Sequence, residues 1–302
     1  MRIWYYSSME HDFLLYVAGL IDSDGHIGLT RFLNHKTGGW GYVETVIVAQ
    51  VDNRALTEIH KHFGGHLSQR KSPSTRWTPC WELKFTYEKA HQFCKTLLPL
   101  LRVKHKQAEM LLEYRQTVGS HITVDPLLLE ERAHLHEAIK FLNQPTTFFS
   151  RQPRPEYNPE VDFPYLAGIV DGDGSILVGC KQPSAKQKRT TLMYYEIVSV
   201  VQCHDEIPRI FQHYFNGTLF QRKMNPTTGT ILWHWSAERR KAVACLKLLL
   251  PHLRIKREQA ELVLQLNKFN LPTLHNRVHP DVLRHRKEIW KRVKELKGKA
   301  AK

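Results

Sequence analysis

The sequence LLYVAGLIDSDG at residues 14–25 recurs as FPYLAGIVDGDG at residues 163–174, an offset of 149 residues. Each copy is apolar on almost every side of a helix and ends in Asp-x-Asp-Gly. A helix that is apolar all round is buried rather than lying on a surface. The repeated segment therefore predicts two buried helices, each with acidic residues at its carboxyl end.

Two further blocks follow each copy in the same order. FGGHLSQRK at residues 63–71 recurs as FNGTLFQRK at residues 215–223, and LLPLLRVKHKQAE at residues 97–109 recurs as LLPHLRIKREQAE at residues 249–261. Both later blocks repeat at an offset of 152 residues. Three blocks in one order, at nearly one offset, indicate that the chain is an internal duplication.

The duplication predicts two domains within the 302 residues. We expect an N-terminal half at residues 1–144 and a C-terminal half at residues 162–302, which ends in a basic helix at residues 279–298. A proline-rich linker is expected at residues 145–161.

Hydrophobic periodicity gives a coarse secondary structure for each half. In the first copy it predicts a helix at residues 11–23, strands at residues 26–34 and 42–51, and an amphipathic helix at residues 55–63. The residues that follow alternate with a period of two at residues 81–86, as expected for a strand with one wet face. Each half is therefore read as helix, two strands, helix, two strands and further helices, which is an α+β fold.

Composition restricts the class of protein. Hydrophobic residues make up 42% of the chain and charged residues 24%, values that are ordinary for a globular protein. No apolar run is long enough to predict a membrane span, and we expect no secretory signal at the N-terminus. The five cysteines are scattered without Cys-x-x-Cys spacing, so they predict buried thiols in a reducing compartment.

The net charge of the chain indicates the class of molecule that it binds. The chain has 44 Lys and Arg residues against 29 Asp and Glu residues, a formal net charge of +15. A field of that sign attracts polyanions, of which nucleic acid is the commonest. Charge alone does not separate nucleic acid from other anionic surfaces.

Asp24 and Asp173 end the two repeated helices. If the helices pair through Ala18-Gly19 and Ala167-Gly168, where small residues permit close approach, both carboxylates meet at two negative helix ends. Such carboxylates repel each other unless a cation lies between them. Oxygen ligands without a Cys or His cluster favour Mg²⁺. The alternative is that each aspartate only caps its helix.

A lysine and a glutamine recur beside these helices. Lys104 and Lys256 each stand at the start of a helix, where a cation opposes the helix dipole, so their recurrence indicates a role such as stabilising phosphate charge. Gln50 and Gln202 each close the second strand, which is expected to flank the repeated helix. The alternatives are a surface lysine and a solvated strand end.

The polar strand faces predict a long basic surface of antiparallel strands that can follow a DNA major groove. The alternative is an ordinary solvated sheet face. The candidate DNA-binding residues are Thr30, Asn34, Lys36, Thr45, Ser68, Arg70, Lys84, Ser175, Lys181, Tyr195, Arg222 and His234.

The repeated segments at residues 17–25 and 166–174 resemble the LAGLIDADG signature, and the chain is similar over almost its whole length to single-chain, two-motif LAGLIDADG homing endonucleases. The resemblance implies pseudo-symmetric αββαββα halves, packed through paired signature helices, with saddle-shaped antiparallel sheets on DNA. It implies a monomer that makes double-strand breaks in a long DNA site. Ser23 stands where the signature usually has Ala or Gly.

The resemblance also implies roles for individual residues. Asp24 and Asp173 match the metal-binding catalytic acids, and the backbone carbonyls of Ser23 and Gly172 match further metal ligands. Two or three Mg²⁺ ions are implied, with Mn²⁺ as a substitute and Ca²⁺ binding without cleavage. Gln50 and Gln202 match the outer polar position of the family's site, with Asn53 and Asp205 as the fallback residues for that position. Lys104 and Lys256 match the peripheral lysine that supports the water network.

Two other functions compete with the endonuclease. The first is a maturase, which uses the same scaffold to bind intron RNA and assist splicing. The second is a transcription regulator, which would ordinarily add a helix-turn-helix domain that residues 279–302 are too few to form. The intact pair of aspartates favours the nuclease, and the divergent strand faces predict an asymmetric target.

Overall fold

The computed structural model describes residues 8–33, 39–70, 79–118, 126–144, 160–182, 191–223, 231–269 and 278–299. The described residues up to 144 form one compact unit, and those from 160 onward form a second. Of the predicted linker, only Glu160 and Val161 lie within the described residues.

The N-terminal half is a four-stranded antiparallel sheet with helices, in the strand order β1-β2-β4-β3. Its elements are α1 (Ser8–Asp24), β1 (Gly25–Leu33), β2 (Trp40–Gln50), α2 (Arg54–Phe63), β3 (His66–Arg70), β4 (Cys80–Thr86), α3 (Glu88–Leu97), α4 (His105–Gln116) and α5 (Pro126–Leu142).

The C-terminal half repeats this arrangement with the strand order β5-β6-β8-β7. Its elements are α6 (Phe163–Asp173), β5 (Gly174–Lys181), β6 (Met193–Gln202), α7 (Glu206–Phe215), β7 (Thr218–Lys223), β8 (Ile231–Glu238), α8 (Arg240–Leu249), α9 (Arg257–Phe269) and α10 (Pro280–Lys299). The α+β class is confirmed. The last described helix, α10, carries eight Lys and Arg residues.

The period-two pattern of the strands places one face of each sheet in the core. In the N-terminal half, Val46 of β2 pairs with Phe85 of β4, and Val48 pairs with Leu83. All four side chains are fully buried. Burial of each such side chain contributes roughly 1.5–3 kcal/mol, so the alternation itself fixes which face of the sheet meets the helices.

The signature helices are buried as predicted. Residues 13–21 of α1 and 164–171 of α6 are buried on all sides. The structure extends α1 through Asp24, and β1 begins at Gly25 without an intervening loop. A Cβ atom on Gly25 would lie 2.6 Å from the Ile21 carbonyl oxygen, so glycine is needed where the helix turns directly into the strand.

The helix after each first hairpin ends differently in the two halves. The residue that follows α2 is Gly64, with φ +70° and ψ −132°, whereas the residue that follows α7 is Asn216, with φ 55° and ψ −145°. This region of backbone space is occupied almost only by glycine. The C-terminal half therefore holds an unfavourable backbone conformation at a position where the N-terminal half has the residue that suits it.

Burial of the cysteines follows the prediction only in part. Cys94 and Cys245 are buried, and burial raises the pKa of the Cys94 thiol to about 12. Cys80, Cys180 and Cys203 are partly exposed because they lie at strand ends or in a loop, so the prediction of buried thiols is wrong for them. None of the described helices has both the length and the apolar character of a membrane span.

Candidate active site

The C-terminal end of α1 is held by the carboxylate of Asp22, which is 2% exposed. This carboxylate accepts hydrogen bonds from three consecutive backbone N–H groups: Arg102 N at 2.7 Å, Val103 N at 3.2 Å and Lys104 N at 2.8 Å. Successive N–H groups that converge in this way form an anion-binding nest. The buried charge of Asp22 is therefore solvated by the backbone of a loop that is 80 residues away in the sequence.

The same loop returns a side chain to the helix. Lys104 Nζ donates to the carbonyl oxygens of Ile21 at 2.8 Å, Asp22 at 2.7 Å and Ser23 at 3.2 Å. A helix C-terminus carries about half a negative charge on such carbonyls, so a cation there is stabilising. Lys104 precedes α4, as predicted, but its charge acts on the end of α1 rather than against the dipole of its own helix.

The C-terminal half repeats this pair of contacts. The Asp171 carboxylate accepts from the backbone N–H groups of residues 254–256 at 2.8, 2.9 and 2.8 Å. Lys256 Nζ donates to the carbonyls of residues 170–172 at 2.8, 2.6 and 2.8 Å. We refer to each reciprocal set, an aspartate on three N–H groups and a lysine on three carbonyls, as a clasp.

Beside each clasp, a glutamine is hydrogen-bonded to the second aspartate of the motif. Gln50 Nε2 donates to Asp24 Oδ2 at 2.6 Å, and Gln202 Nε2 donates to Asp173 Oδ2 at 3.0 Å. Asp24 is exposed, whereas Asp173 is partly buried. Gln202 is buried, and its Oε1 makes no hydrogen bond with any residue that the structure describes.

The fallback residues lie elsewhere in each half. Asn53 and Asp205 precede α2 and α7, and Asp205 is bound by Arg209 at 2.6 Å. The structure therefore brings Gln50 and Gln202, rather than Asn53 and Asp205, to the end of the signature helix.

The first row of side chains beyond the clasp differs between the halves. In the N-terminal sheet the aligned residues on the face away from the core are His26, Ile47, Lys84 and His66. In the C-terminal sheet the corresponding residues are Ser175, Ser199, Ser236 and Thr218. We call these sets the first outer rows. One carries two imidazoles and an ammonium, and the other carries four hydroxyls.

Several predicted DNA-binding residues are accessible on the outer faces. Thr30, Arg70, Lys181 and Arg222 are exposed, while Ser68, Lys84, Ser175 and His234 are partly buried. Burial, and after it the charge of Arg222, lowers the pKa of His234. Asn34 and Lys36 lie outside the described residues.

Two predicted surface residues are buried, so their placement on an open surface is wrong. Thr45 is 1% exposed, and its hydroxyl is hydrogen-bonded at 2.9 Å to that of Thr30 on the neighbouring strand. Tyr195 is 9% exposed because its ring lies over Gly179, where a Cβ atom would be 2.4 Å from Tyr195 Cζ. Lys181 Nζ lies 4.5 Å from the centre of that ring and covers it further.

Asp22 and Asp171 were missed as site residues by sequence reasoning. Both belong to the repeated Asp-x-Asp-Gly, so the recurrence of the first aspartate was the available signal. The backbone N–H groups that it binds come from the block that contains Lys104 or Lys256, and these groups have no signature in residue type. The structure shows that the first aspartate of each motif holds the loop, while the second is the one exposed or partly exposed.

Comparison with solved structures identifies the fold. I-SmaMI bound to an uncleaved DNA target in the presence of calcium ions matches with a TM-score of 0.69 and 18% identity, over 92% of this chain and 97% of that one. The LAGLIDADG homing endonuclease I-GzeII in complex with a DNA target matches with a TM-score of 0.67 and 16% identity, over 92% and 97%. I-SmaMI bound to cleaved DNA matches with a TM-score of 0.66 and 17% identity, over 92% and 95%.

No protein-family model and no curated protein matches the sequence. The structural matches cover nearly the full length of each compared chain at low identity. They show that this chain has the fold of the LAGLIDADG homing endonucleases.

Proposed function

We propose that this chain is a single-chain LAGLIDADG homing endonuclease that makes Mg²⁺-dependent double-strand breaks in a long, asymmetric DNA site. The observation that carries the proposal is the repetition of one constellation in both halves: a carboxylate at the helix end, a glutamine bound to it and a lysine on the last carbonyls. A purely structural helix cap would not require the glutamine and the second aspartate in both copies. The matched structures, which include DNA bound before and after cleavage, support the same activity.

The donor set suits Mg²⁺. The groups available at each helix end are the carboxylates of Asp24 and Asp173 and the carbonyls of Ser23 and Gly172, all of them oxygen ligands, which Mg²⁺ prefers together with water. Within the described ranges no group of three or more His, Cys, Asp or Glu side chains could hold a metal ion, so the proposed ligands at each helix end are one carboxylate and one carbonyl, with water for the rest. The lysine contacts leave these carbonyls usable, because a carbonyl oxygen has two lone pairs.

Bound Mg²⁺ supplies positive charge that activates water and stabilises the leaving 3′ oxygen. The protein's own residues prepare the place for this chemistry. Gln50 and Gln202 orient the carboxylates through one oxygen each. Lys104 and Lys256 neutralise the negative helix ends, which reduces the electrostatic cost of bringing a phosphodiester to them.

The outer faces of the two sheets are the proposed DNA-reading surface. Their accessible side chains include Arg, Lys, Ser, Thr and His residues, which bind phosphates and base edges. Because the first outer rows differ completely between the halves, we expect the two half-sites to differ. A palindromic consensus in sites selected from randomised DNA would contradict this part of the proposal.

Cleavage of a randomised plasmid library tests the activity. We expect linear product with Mg²⁺ or Mn²⁺ and binding without cleavage with Ca²⁺. Asp24→Asn and Asp173→Asn should each abolish double-strand cleavage, while the chain keeps its unfolding temperature. Asp281→Asn on α10, which changes the charge by the same amount at an exposed site, is the matched control and should cut like the parent.

Two outcomes would overturn the proposal. One is cleavage that persists in both Asn variants, since the activity would then come from another site or a contaminant. The other is tight binding of intron RNA with no cleavage of the DNA that flanks the gene, which would favour the maturase.

A further inference from the structure

The two halves differ strongly in charge. Residues 1–144 contain 17 Lys and Arg against 15 Asp and Glu, whereas residues 145–302 contain 27 against 14. Nearly all of the net charge of +15 therefore belongs to the second half of the sequence. Because the signature block and its clasp are shared, the excess has to come from elements that changed after the duplication.

The final helices of the halves carry much of this difference. α5 packs on α4 and β1, and α10 packs in the same way on α9 and β5. α5 has two Lys and Arg and three Asp and Glu, while α10 has eight and three. The helix layers are thus equivalent, but α10 presents a basic surface that α5 lacks.

Some α10 cations are used inside the protein. Arg286 is 6% exposed and donates from Nη2 to the Phe269 carbonyl. Arg284 pairs with Asp281 at 3.0 Å, and Arg292 pairs with Glu258 at 2.9 Å. These three arginines have structural partners and do not explain the remaining charge.

Lys287, Lys291 and Lys294 are all exposed and are spaced i, i+4 and i+7, which places them on one face of the helix. We call them the lysine ridge. None of the three forms an ion pair with a described residue, and Lys294 Nζ lies 5.3 Å from the centre of the Trp290 ring. Like charges at these spacings repel, and the exposed Glu288 and Glu295, three and four residues from Lys291, offset only part of that repulsion, so a bound anion stabilises this face of the helix.

We propose that the lysine ridge binds the phosphate backbone of duplex DNA outside the surface covered by the β-sheets. The ridge is about 10 Å long, which corresponds to the axial rise of about three phosphates in one strand. The buried face of α10, which includes Ile289 and Val293, is occupied by the protein itself. Only charge is therefore left to bind a partner, and a flexible ammonium is suited to phosphates without base specificity.

This inference rests on the proposed function for the identity of the polyanion, and it adds a consequence. Through the ridge, the C-terminal half binds duplex DNA of any sequence. This raises the affinity for non-target DNA and assists the search for the site. The N-terminal half has no equivalent ridge on the described part of α5, so we expect the C-terminal half to contribute more of the non-specific binding than the N-terminal half.

Salt-dependent binding of a fixed 40-base-pair non-target duplex tests the ridge in the full-length protein. The variant K287Q/K291Q/K294Q should lower the affinity about tenfold or more at low salt and make the slope of log affinity against log salt shallower by roughly two to three units. The charge-preserving variant K287R/K291R/K294R should keep the affinity and the salt slope of the parent. Thermal unfolding checks that α10 remains folded.

The matched control is K61Q/K89Q/K95Q, which removes three exposed lysines from α2 and α3 and lowers the net charge equally. We expect its slope to stay close to that of the parent. If the ridge variant and the control had the same slope of log affinity against log salt, the proposal would be overturned, because DNA binding would then depend only on the net charge of the protein. Loss of binding to anionic phospholipid vesicles but not to DNA would overturn it in favour of a membrane surface. No binding of any duplex by the parent would instead count against the proposed endonuclease.

Discussion

The N-terminal and C-terminal halves are nearly identical at the clasp and unlike each other in the first outer row. Asp22 and Asp171 each bind three N–H groups, and Lys104 and Lys256 each bind three carbonyls. In the first outer row, by contrast, His26 corresponds to Ser175 and Lys84 corresponds to Ser236.

The clasp and the first outer row differ because many buried backbone groups depend on the clasp side chains for their hydrogen bonds, whereas none depends on the side chains of the outer row. Six backbone groups in each half lose a partner if the clasp is lost, and buried unpaired groups are costly. A side chain in an outer row contacts solvent and can change without that penalty. Duplication has therefore kept the framework of the site and allowed its two surfaces to become different.

The equivalence of the two clasps is tested most strongly by Asp22→Ala and Asp171→Ala. Each removes the acceptor of three buried N–H groups and should lower the free energy of unfolding by about 3–5 kcal/mol. Urea denaturation followed by circular dichroism measures the loss. Asp281→Ala, at an exposed position, should cost less than about 0.5 kcal/mol. A loss below 1 kcal/mol in one half only would show that the halves are not equivalent.

The halves use different helices to neutralise a repeated buried acid. Glu44 is paired with Arg115 of α4 at 3.0 Å. In the other half, burial lowers the pKa of Arg286 of α10, and the charge of the corresponding Glu196 acts in the opposite direction. The position equivalent to Arg115 is Asn267. The same electrostatic requirement is met from two different places in the sequence.

Arg286→Met should lower the free energy of unfolding by about 3 kcal/mol, since it leaves Glu196 with less compensation in a buried place. Arg115→Met should cost less, about 1–2 kcal/mol, because Arg115 is partly exposed. Adding Asn267→Arg to the Arg286 variant should recover at least half of the loss. Absence of recovery would mean that α9 cannot take over the role that α4 has in the other half.

Gln50→Ala and Gln202→Ala test whether the two sites work equally. Each removes a hydrogen bond that orients a carboxylate, so cleavage should slow by about tenfold. We expect the larger effect for Gln202, which is buried. Separate end labels on the two DNA strands would show whether each variant slows one strand more than the other. Gln69→Ala, at an exposed position of β3, is the control and should leave both rates unchanged.

Lys84→Ser replaces the N-terminal first outer row's ammonium with its counterpart from the other half. A lysine that reads a guanine edge contributes about 1 kcal/mol of base discrimination, so we expect one base position of the selected site to lose its preference about fivefold. A uniform loss over all sites would instead mean that Lys84 binds a phosphate. Ser236→Lys is the reciprocal variant and should sharpen a position in the other half-site.

The smallest effect is expected at the helix ends with positive φ. Asn216→Gly should raise the free energy of unfolding by about 1 kcal/mol, because glycine adopts this conformation without strain. Gly64→Asn should lower it by a similar amount. The Trp235 Nε1 bond to the carbonyl of residue 216, at 2.6 Å, uses backbone and is retained in the variant. If both variants changed the free energy of unfolding in the same direction relative to the parent, this interpretation would be contradicted.

The duplicated blocks were sufficient to predict the buried helices and the recurrence of Asp24 and Lys104, and hydrophobic periodicity predicted the strands, the second of which ends at Gln50. They did not reveal Asp22, because its partners are backbone N–H groups of a distant loop. The burial of Tyr195 was also missed. It depends on the open space above Gly179 on the paired strand, and the register of two strands is not visible in either one alone.

The clasp also determines when a working site can exist during folding. Asp22 and the N–H group of Lys104 are 82 residues apart, and the sheet and two helices lie between them in the sequence. Contacts of such long separation can form only after the intervening chain has been made and closed into a loop. A half that is only partly folded on the ribosome therefore holds its acidic helix end without the lysine and the fixed loop. In the proposed nuclease, the site of each half is therefore complete only once that half has folded, which limits cleavage by immature chains.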